Sequence, residues 1–400
     1  MKQFLNYRSM IQKAQPSWQY AKEAGLIDLA VSYGEEPYHL FNDHKFINMC
    51  SCSYLGLDTH PDILEGAIAG VKQAKSLHLT TARVRIYTTL LQEVEQALSD
   101  HYRAHAMSYI SCAAASSAYL PLLASGTLTG DCVPTMIFDK QAHFSMLHVK
   151  AICGDQTEVL TSPHNDLNFI EDQCKQNKLV AYVTDGTYSV SGHAPVDDLL
   201  QLQDRYGLIC YFDDSHGLSI TGEHGVGYVR SKIDQLNEKT IIVGSLAKAF
   251  GACGGVLLSG SDKIFDKLLR YGNSWSQYLN SAGLGAILAS LKLHQSSILT
   301  ERQQAWWENI KRFDKQFETQ NYGLVSPIRI ALLKTPEKAV QYAKQVFDKG
   351  YYISSVFFPI VPQGKAGLRI MPRANVSAEQ MQLFFDTLLS VCGDDLVVKA

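Results

Sequence analysis

The chain has 400 residues, of which 46% are hydrophobic and 19% are charged, so it can bury a large core and form more than one folding unit. The formal net charge is only −3, and no block of lysines and arginines favours nucleic acid or an anionic membrane as a partner. Nine cysteines are scattered without a CxxC pair or a zinc-type spacing, which indicates reduced thiols and no metal site.

The N-terminal segment differs from a leader peptide. Residues 1–18 carry charges every few positions and lack the apolar core of a signal peptide. No later window has the ~18 apolar residues that a membrane span needs. We therefore expect a cytoplasmic protein, with residues 1–45 forming an arm or linker before the main domain.

A helix is predicted over Ser111–Gly126, which reads "SCAAASSAYLPLLASG". Its first turn contains Ser111, Cys112 and Ala113, which are small enough for an anion to approach the backbone N–H groups. Small residues also suit tight helix packing, so this pattern alone leaves a phosphate site and a packing contact as alternatives.

Three short apolar runs follow at 178–183, 207–212 and 240–244, and each ends in polar residues. Such runs are typical of strands buried on both faces of a parallel sheet. A helix that begins at Pro195 and ends at Gly207 separates the first two, which predicts a right-handed parallel crossover. Because ligands bind beyond the carboxyl ends of such strands, polar residues after the runs are expected to share one pocket. These residues are Ser189, Asp213, His216 and Lys248.

After about residue 290 the pattern changes to alternating helices and strands. A long helix near 301–318 is followed by strands near "VSPIRIALL", "YYISSVFF" and "GLRIM", and the last helix begins at "SAEQ", which has the form of a capping box. The sequence therefore predicts an α/β protein. A large domain over 46–290 has a mainly parallel sheet, and residues 291–400 form a smaller α+β domain.

The chemistry centres on Lys248, which lies among small and apolar residues in "GSLAKAFG". Poor hydration favours the neutral amine, a nucleophile toward carbonyl groups. Asp213 at the end of a buried strand can hold a positive charge, and a lysine with an aspartate suits pyridoxal phosphate, whose pyridinium nitrogen needs an acidic partner. Taken singly, Lys248 could extend to solvent from the first turn of a helix, and Asp213 could cap a turn.

The order and wording of these motifs resemble the α-oxoamine synthases, which are fold type I pyridoxal phosphate enzymes. The similarity runs from "SYLGL" near residue 53 to "GLRI" near residue 367. It implies a PLP-dependent transferase fold and a homodimer. It also implies condensation of an amino acid with an acyl thioester, carried by coenzyme A or a carrier protein, with release of carbon dioxide in the decarboxylating members.

The resemblance assigns cofactor contacts to four residues. "GSLAKAFG" implies that Lys248 forms the Schiff base with pyridoxal 5'-phosphate and that Ser245 contacts its phosphate. "FDDSHG" implies that Asp213 binds the pyridinium nitrogen and that His216 binds the ring hydroxyl.

Further motifs extend the implied site. "DKQAHFSM" implies that His143 stacks on the cofactor ring, which makes Lys248, His143 and His216 the candidate catalytic residues. "TDGTYSVSG" places Ser189 near the ring hydroxyl, and "GLRI" makes Arg369 the candidate for the substrate carboxylate. Cys52 stands where the family usually has an asparagine that helps to bind this carboxylate.

Two further departures from the family concern substrate selection. Residues 78–89, "HLTTARVRIYTT", lack the usual glycines, and residues 276–281, "SQYLNS", differ from the family's element that reaches the partner subunit. These changes favour a specialised biosynthetic pathway. Two alternatives are another fold type I reaction, such as transamination, and a catalytically idle subunit. The second is disfavoured because the four cofactor residues Lys248, Asp213, His216 and His143 are all present.

Overall fold

The computed structural model describes residues 7–272 and 278–398, and this part of the chain contains fourteen strands and thirteen α-helices. The strands are β1 (Ser32–Tyr33), β2 (Tyr38–Phe41), β3 (His44–Asn48), β4 (His105–Tyr109), β5 (Thr135–Asp139), β6 (Val159–Ser162), β7 (Val180–Asp185), β8 (Ile209–Asp213), β9 (Thr240–Ser245), β10 (Gly255–Ser259), β11 (Arg329–Leu333), β12 (Tyr351–Tyr352), β13 (Ser354–Val356) and β14 (Ala366–Ile370).

The helices span 4 to 20 residues. They are α1 (Tyr7–Glu23), α2 (Pro61–Ala74), α3 (Thr89–Tyr102), α4 (Cys112–Ala124), α5 (Phe144–Leu147), α6 (Lys150–Gly154), α7 (Leu167–Gln176), α8 (Val196–Tyr206), α9 (Lys263–Tyr271), α10 (Ser281–His294), α11 (Ser297–Gln316), α12 (Pro336–Asp348) and α13 (Ala378–Cys392). Among the described residues, no helix combines the length and the apolar character needed to cross a membrane.

The chain forms two compact units, and their boundaries differ from the predicted boundaries at 45/46 and 290/291. The large unit spans residues 56–300, and the small unit combines residues 1–55 with residues 301–400. The N-terminal segment joins the small unit because β3 pairs in parallel with β12, in the sheet order β1-β2-β3-β12. The segment predicted as an arm thus contributes strands to a sheet.

The large unit is built on a seven-stranded sheet, counted over the described residues, with the order β4-β10-β9-β8-β7-β5-β6. β10 is antiparallel to β4 and β9, whereas the pairs from β9 through β8, β7 and β5 to β6 are parallel. The predicted α/β class is therefore confirmed. The three apolar runs form the adjacent strands β7, β8 and β9, so their carboxyl ends lie side by side at one edge.

Local sequence explains the crossover from β7 to β8. Every residue of these two strands is buried, as their continuous apolar composition predicts. The connecting helix α8 has Asp197 and Asp198 in its first turn, where carboxylates interact favourably with the helix dipole. It ends at Gly207, whose φ of 75° is the left-handed conformation that favours glycine.

Helices α2 and α10 pack at very close range through glycines. A Cβ built on Gly70 would lie 2.3 Å from the carbonyl oxygen of Ser281 and 2.8 Å from the Cα of Gly285. The opposing atoms belong to backbone, which cannot move aside as a flexible side chain can. The pair of helices therefore depends on the absence of a side chain at Gly70.

Replacing Gly70 by alanine is expected to destabilise the protein by about 3 kcal/mol, because the added methyl must push two packed helices apart. Urea unfolding followed by circular dichroism measures this loss. Ala69→Gln, on the exposed side of the same helix, is the control and should change stability by less than about 0.5 kcal/mol. Equal losses in the two variants would contradict the packing argument.

The large unit also buries a neutral histidine. His294, at the end of α10, is 1% exposed, and burial lowers the pKa of its imidazole to about 4, with a smaller contribution from His224. Its Nδ1 lies 2.8 Å from the carbonyl oxygen of Ser290 and its Nε2 lies 2.8 Å from the hydroxyl of Ser219. The network is satisfied by the tautomer in which Nδ1–H donates and Nε2 accepts.

This histidine predicts a loss of stability in acid. The unfolded imidazole has a pKa near 6.5 and the folded one about 4, so the stabilisation is complete above about pH 6.5 and decreases as the pH falls toward 4. Between about pH 7.5 and about pH 4.5 the folded state should lose about 2 to 3 kcal/mol through this group. Urea unfolding at both pH values measures this loss in the free energy of unfolding, which should be smaller in His294→Gln than in the wild type. His105→Gln, at an exposed histidine, is the control and should show the same loss as the wild type. Identical pH profiles for all three proteins would contradict this assignment.

The small unit contains a fully buried ion pair. Arg329, the first residue of β11, donates from Nε to Oδ1 of Asp314 at 2.6 Å and from Nη2 to Oδ2 at 2.7 Å. Its guanidinium also donates to the carbonyl oxygens of Ser326, Ile328 and Leu324. The ion pair joins α11 to the three-stranded sheet β11-β14-β13. The charge of Arg329 is tolerated in the core because each of its guanidinium N–H groups has an acceptor.

Candidate functional site

The carboxylate of Asp213, at the end of β8, is 2% exposed and surrounded by donors. Ser215 donates its backbone N–H at 3.0 Å and its hydroxyl at 2.5 Å to Oδ1, while Ser145 Oγ lies 2.8 Å and Cys112 Sγ 3.3 Å from Oδ2. Burial alone raises the pKa of Asp213, but the charge of Lys248 and these hydrogen bonds outweigh burial and bring the pKa below its ordinary value. The group is therefore an ionised carboxylate suited to bind a cation.

Lys248 follows β9, and its Nζ lies 2.9 Å from Nε2 of His216. His216 is buried, and Lys248 is half-buried. The segment around Lys248 is a turn, so the alternative interpretation of a solvent-directed lysine on a first helical turn is wrong. The turn closes with Gly251, whose φ is 79° and where a Cβ would lie 2.5 Å from the side chain of Leu57.

His143 is positioned by Asp185, at the end of β7, and by the helix α5 that follows it. Its backbone N–H donates to Oδ2 of Asp185 at 2.8 Å, and its ring caps α5 by accepting from the backbone N–H of Ser145 at 3.1 Å. Asp185 faces Asp213 across the β7–β8 pairing. Burial, and next the charge of Asp213, raise the pKa of Asp185 well above its ordinary value, so this second carboxyl is less acidic than that of Asp213 beside it.

The carboxyl of Asp214, directly after β8, accepts hydrogen bonds from two other segments. Burial raises its pKa to about 7, and its oxygens accept from the backbone N–H of Val229 at 3.0 Å and the hydroxyl of Thr187 at 3.2 Å. A Cβ on Gly217 would lie 2.2 Å from Oδ1 of this carboxyl. Asp214 thus joins the segments after β7 and β8. The sequence motifs assign no role to Asp185 or Asp214.

The predicted phosphate residues lie at one helix N-terminus and one strand end. Ser111 is the N-cap of α4, and its hydroxyl accepts from Ala114 N–H at 3.1 Å. The following N–H groups, of Cys112 and Ala113, belong to the turn that lacks intrahelical acceptors. A Cβ on Gly255, opposite Ser245 in the β9–β10 pairing, would lie 2.5 Å from Cys112 N. Glycine therefore lets the helix start approach the strand end, where an anion is favoured.

Ser245 is held at this strand end by two hydrogen bonds. Its N–H donates to the Ser215 hydroxyl at 2.8 Å, and its own hydroxyl accepts from Ala247 N–H at 3.2 Å. Ser189 is half-buried in the loop after β7, which the Thr187–His193 bridge closes. The predicted role of Ser189 at a ring hydroxyl stays a prediction.

Arg369 and Cys52 belong to the small unit. Arg369 lies in β14, opposite Ile330 and Ser354, and its Nε is buried without a hydrogen-bond partner among the described residues. Burial raises the pKa of the nearby Cys50 thiol, while the charge of Arg369 opposes this shift. An unsatisfied guanidinium N–H is an expected binding point for an anion. Residues 276 and 277 of the "SQYLNS" segment lie outside the described residues.

Comparison with known proteins agrees with this arrangement. A family model described as "Aminotransferase class I and II" matches residues 44–388. The 8-amino-7-oxononanoate synthase of Alkaliphilus metalliredigens is 28% identical over 367 residues, which cover 86% of each chain. The enzyme of the same name from Petrotoga mobilis is 27% identical over 360 residues, with 85% of this chain and 86% of the relative covered.

Solved structures support the same fold. A serine palmitoyltransferase from S. paucimobilis, with a bound PLP–myriocin aldimine, has a TM-score of 0.83 at 18% identity and covers 98% of this chain and 99% of its own. The 8-amino-7-oxononanoate synthase of Francisella tularensis has a TM-score of 0.69 at 21% identity, over 86% of this chain and 97% of its own. The predicted fold type I transferase fold and the resemblance to α-oxoamine synthases are thereby confirmed.

The large unit fits pyridoxal 5'-phosphate, the cofactor predicted from the sequence. Lys248 offers an amine to an aldehyde, Asp213 offers an ionised carboxylate to a protonated ring nitrogen, and the start of α4 offers N–H groups to a phosphate. This donor set, the fold and the match over residues 44–388 agree. The chain belongs to the aminotransferase class I and II family.

Proposed function

We propose that the protein is a pyridoxal phosphate-dependent acyltransferase that condenses an amino acid with an acyl thioester, releasing carbon dioxide and giving an α-amino ketone. The observation that carries this proposal is the grouping of Lys248, His216, Asp213 and His143 at one edge of the sheet. The chain is also similar to proteins named 8-amino-7-oxononanoate synthase. The cofactor, when bound, supplies an aldehyde for amines and a ring that withdraws electrons from the α-carbon.

Lys248 has two tasks in this proposal. Its amine would hold the cofactor covalently, and when free it would act as the base that moves the proton at the α-carbon of the amino acid. Nε2 of His216 lies 2.9 Å from Nζ, which orients the amine. His216 and Ser189 would bind the ring hydroxyl in this proposal. Both groups lie at the carboxyl edge of parallel strands, where ligands of such sheets bind.

Asp213 and His143 hold the ring. The Asp213 carboxylate keeps the ring nitrogen protonated, because a buried negative charge raises the proton affinity of a partner base. The exposed imidazole of His143 offers a flat surface for stacking. The phosphate is bound by the start of α4, through the N–H groups of Cys112 and Ala113 and the hydroxyls of Ser111 and Ser245.

Arg369 binds the carboxylate of the amino acid, supported by its buried, unpartnered Nε among the described residues. Cys52 replaces an amide donor with a weaker thiol donor at this carboxylate site. Together with the altered residues 78–89, this change supports a role in a specialised biosynthetic pathway. A cytoplasmic location is part of the same proposal.

The active form is a homodimer in this proposal. The segment 77–87 exposes five large apolar side chains in the single chain, and a concentration of exposed apolar side chains favours a protein interface. These side chains are Leu77, Leu79, Val84, Ile86 and Tyr87. Light scattering during size-exclusion chromatography tests the dimer, and a monomeric mass at micromolar concentration would contradict it.

The decisive experiment combines absorbance and product analysis. Purified protein is mixed with pyridoxal phosphate, then with single amino acids, and finally with acyl thioesters of coenzyme A or of a carrier protein. Release of free thiol and carbon dioxide that requires both substrates supports the proposal. Formation of a keto acid without any thioester would instead identify an aminotransferase, and failure to bind the cofactor covalently would identify an idle subunit. The relatives' names favour the first outcome.

A further inference from the structure

Ser145 contacts two groups of the site with a single hydroxyl. Its Oγ lies 2.8 Å from Oδ2 of Asp213 and 2.9 Å from Nδ1 of His143. Ser145 is 8% exposed, and 68 residues separate it from Asp213 along the chain. The hydroxyl therefore bridges a buried carboxylate and an imidazole that no motif had linked.

The Ser145 hydroxyl can bridge Asp213 and His143 in two hydrogen-bond arrangements, which differ in the group that receives its hydrogen. The ionised carboxylate of Asp213 only accepts hydrogen bonds. Nδ1 of His143 also accepts, because the backbone N–H of Ser145 donates to it at 3.1 Å. The hydroxyl of Ser145 has one hydrogen, so it can donate to only one of these two acceptors at a time.

We infer that Ser145 is a positioning residue that links Asp213 to His143. Its hydroxyl donates to Asp213 while Oδ2 lacks another strong donor, and it turns to Nδ1 of His143 when Oδ2 receives a hydrogen. The protonated ring nitrogen of the cofactor is such a donor, so the inference deepens the proposed function. Rotation of the hydroxyl transfers no proton between groups. It adds a hydrogen bond to Nδ1 of His143 when Oδ2 of Asp213 accepts from another donor.

The other charged and titratable groups around Asp213 do not need to change during this rotation. They lie on β7, on β8 and directly after it, on α4 and in the turn after β9. They are Lys248, Asp185, Asp214, Cys112 and Tyr211.

The helix cap does not depend on the Ser145 hydroxyl, which makes the inference testable. The cap of α5 uses the backbone N–H of Ser145, so Ser145→Ala retains the cap and loses only the bridge. Asp213→Asn imitates an engaged Asp213 without any cofactor. Its amide oxygen should keep the Oδ1 position, where Ser215 donates twice, and its NH₂ group should then donate toward the Ser145 hydroxyl.

The experiment is a double-mutant comparison read by the ¹⁵N chemical shift of His143 Nδ1, in full-length protein with labelled histidine. His143→Gln identifies the signal. We expect Asp213→Asn to move the Nδ1 shift toward stronger hydrogen bonding when Ser145 is present, and this movement to be lost in the Ser145→Ala background. An equal movement in both backgrounds would overturn the inference, because the charge of Asp213 would then act on His143 directly.

Ser117→Ala is the matched control, because Ser117 Oγ lies 2.8 Å from a different imidazole, that of His148. It should leave the response of His143 to Asp213→Asn unchanged. Circular dichroism of each variant verifies folding. In parallel samples, pyridoxal phosphate is added to the wild type and to Ser145→Ala. In the wild type the cofactor should move the His143 Nδ1 shift in the same direction as Asp213→Asn does, and in Ser145→Ala it should not. If the wild type does not bind the cofactor, the proposed function fails, and the cofactor-free comparison still decides the role of Ser145.

Discussion

Lys248→Ala is expected to abolish borohydride-trappable pyridoxal phosphate and to reduce turnover by about 10³-fold or more. The variant loses the amine that binds the cofactor and the base that moves the α-proton, and positioned bases alone contribute about 10²- to 10⁴-fold. The measurement is reduction with borohydride followed by mass spectrometry of peptides, with turnover assayed in parallel. Within the site, the Lys248 amine lies 2.9 Å from Nε2 of His216.

Lys239→Ala is the matched control, because Lys239 is an exposed lysine just before the same strand, β9. It should retain full trapping and turnover. Lys248→Arg keeps the positive charge but offers no amine, so it should behave as Lys248→Ala in the trapping experiment. Trapped cofactor on another lysine of Lys248→Ala would refute the assignment.

Asp314→Ala is expected to destabilise the protein by about 3 to 5 kcal/mol, the range observed when one partner of a buried ion pair is removed. The substitution leaves the guanidinium of Arg329, whose side chain has no exposed surface, without its carboxylate partner. The backbone carbonyls that remain can accept hydrogen bonds but cannot neutralise the charge. Urea unfolding monitored by circular dichroism measures the loss.

Two controls separate burial from charge. Asp266→Ala removes one partner of an ion pair with Arg270 in which both side chains are about 60% exposed, and it should cost less than about 1 kcal/mol. Combining Asp314→Leu with Arg329→Met removes both charges and should recover part of the loss. The interpretation fails if Asp314→Ala costs no more than Asp266→Ala.

The sequence by itself determined the central architecture of the large unit. The runs that became β7, β8 and β9 are continuous and apolar because both faces of each strand are buried, and this requirement is visible locally. Because ligands bind at the carboxyl ends of parallel strands, the positions of Lys248, Asp213 and His216 after these runs predict that they share one site. These inferences depend on periodicity and strand ends, which sequence records directly.

Tertiary structure decided the features that depend on distant contacts. β3 and β12 pair over only two residues each, about 300 positions apart, so no local pattern could indicate that the N-terminal segment joins the small unit. The raised pKa of Asp185 arises from its burial beside Asp213, and the bridge made by Ser145 arises from distances of 2.8 and 2.9 Å. Protonation and shared hydrogen bonds depend on three-dimensional proximity and desolvation, which the order of residues does not specify.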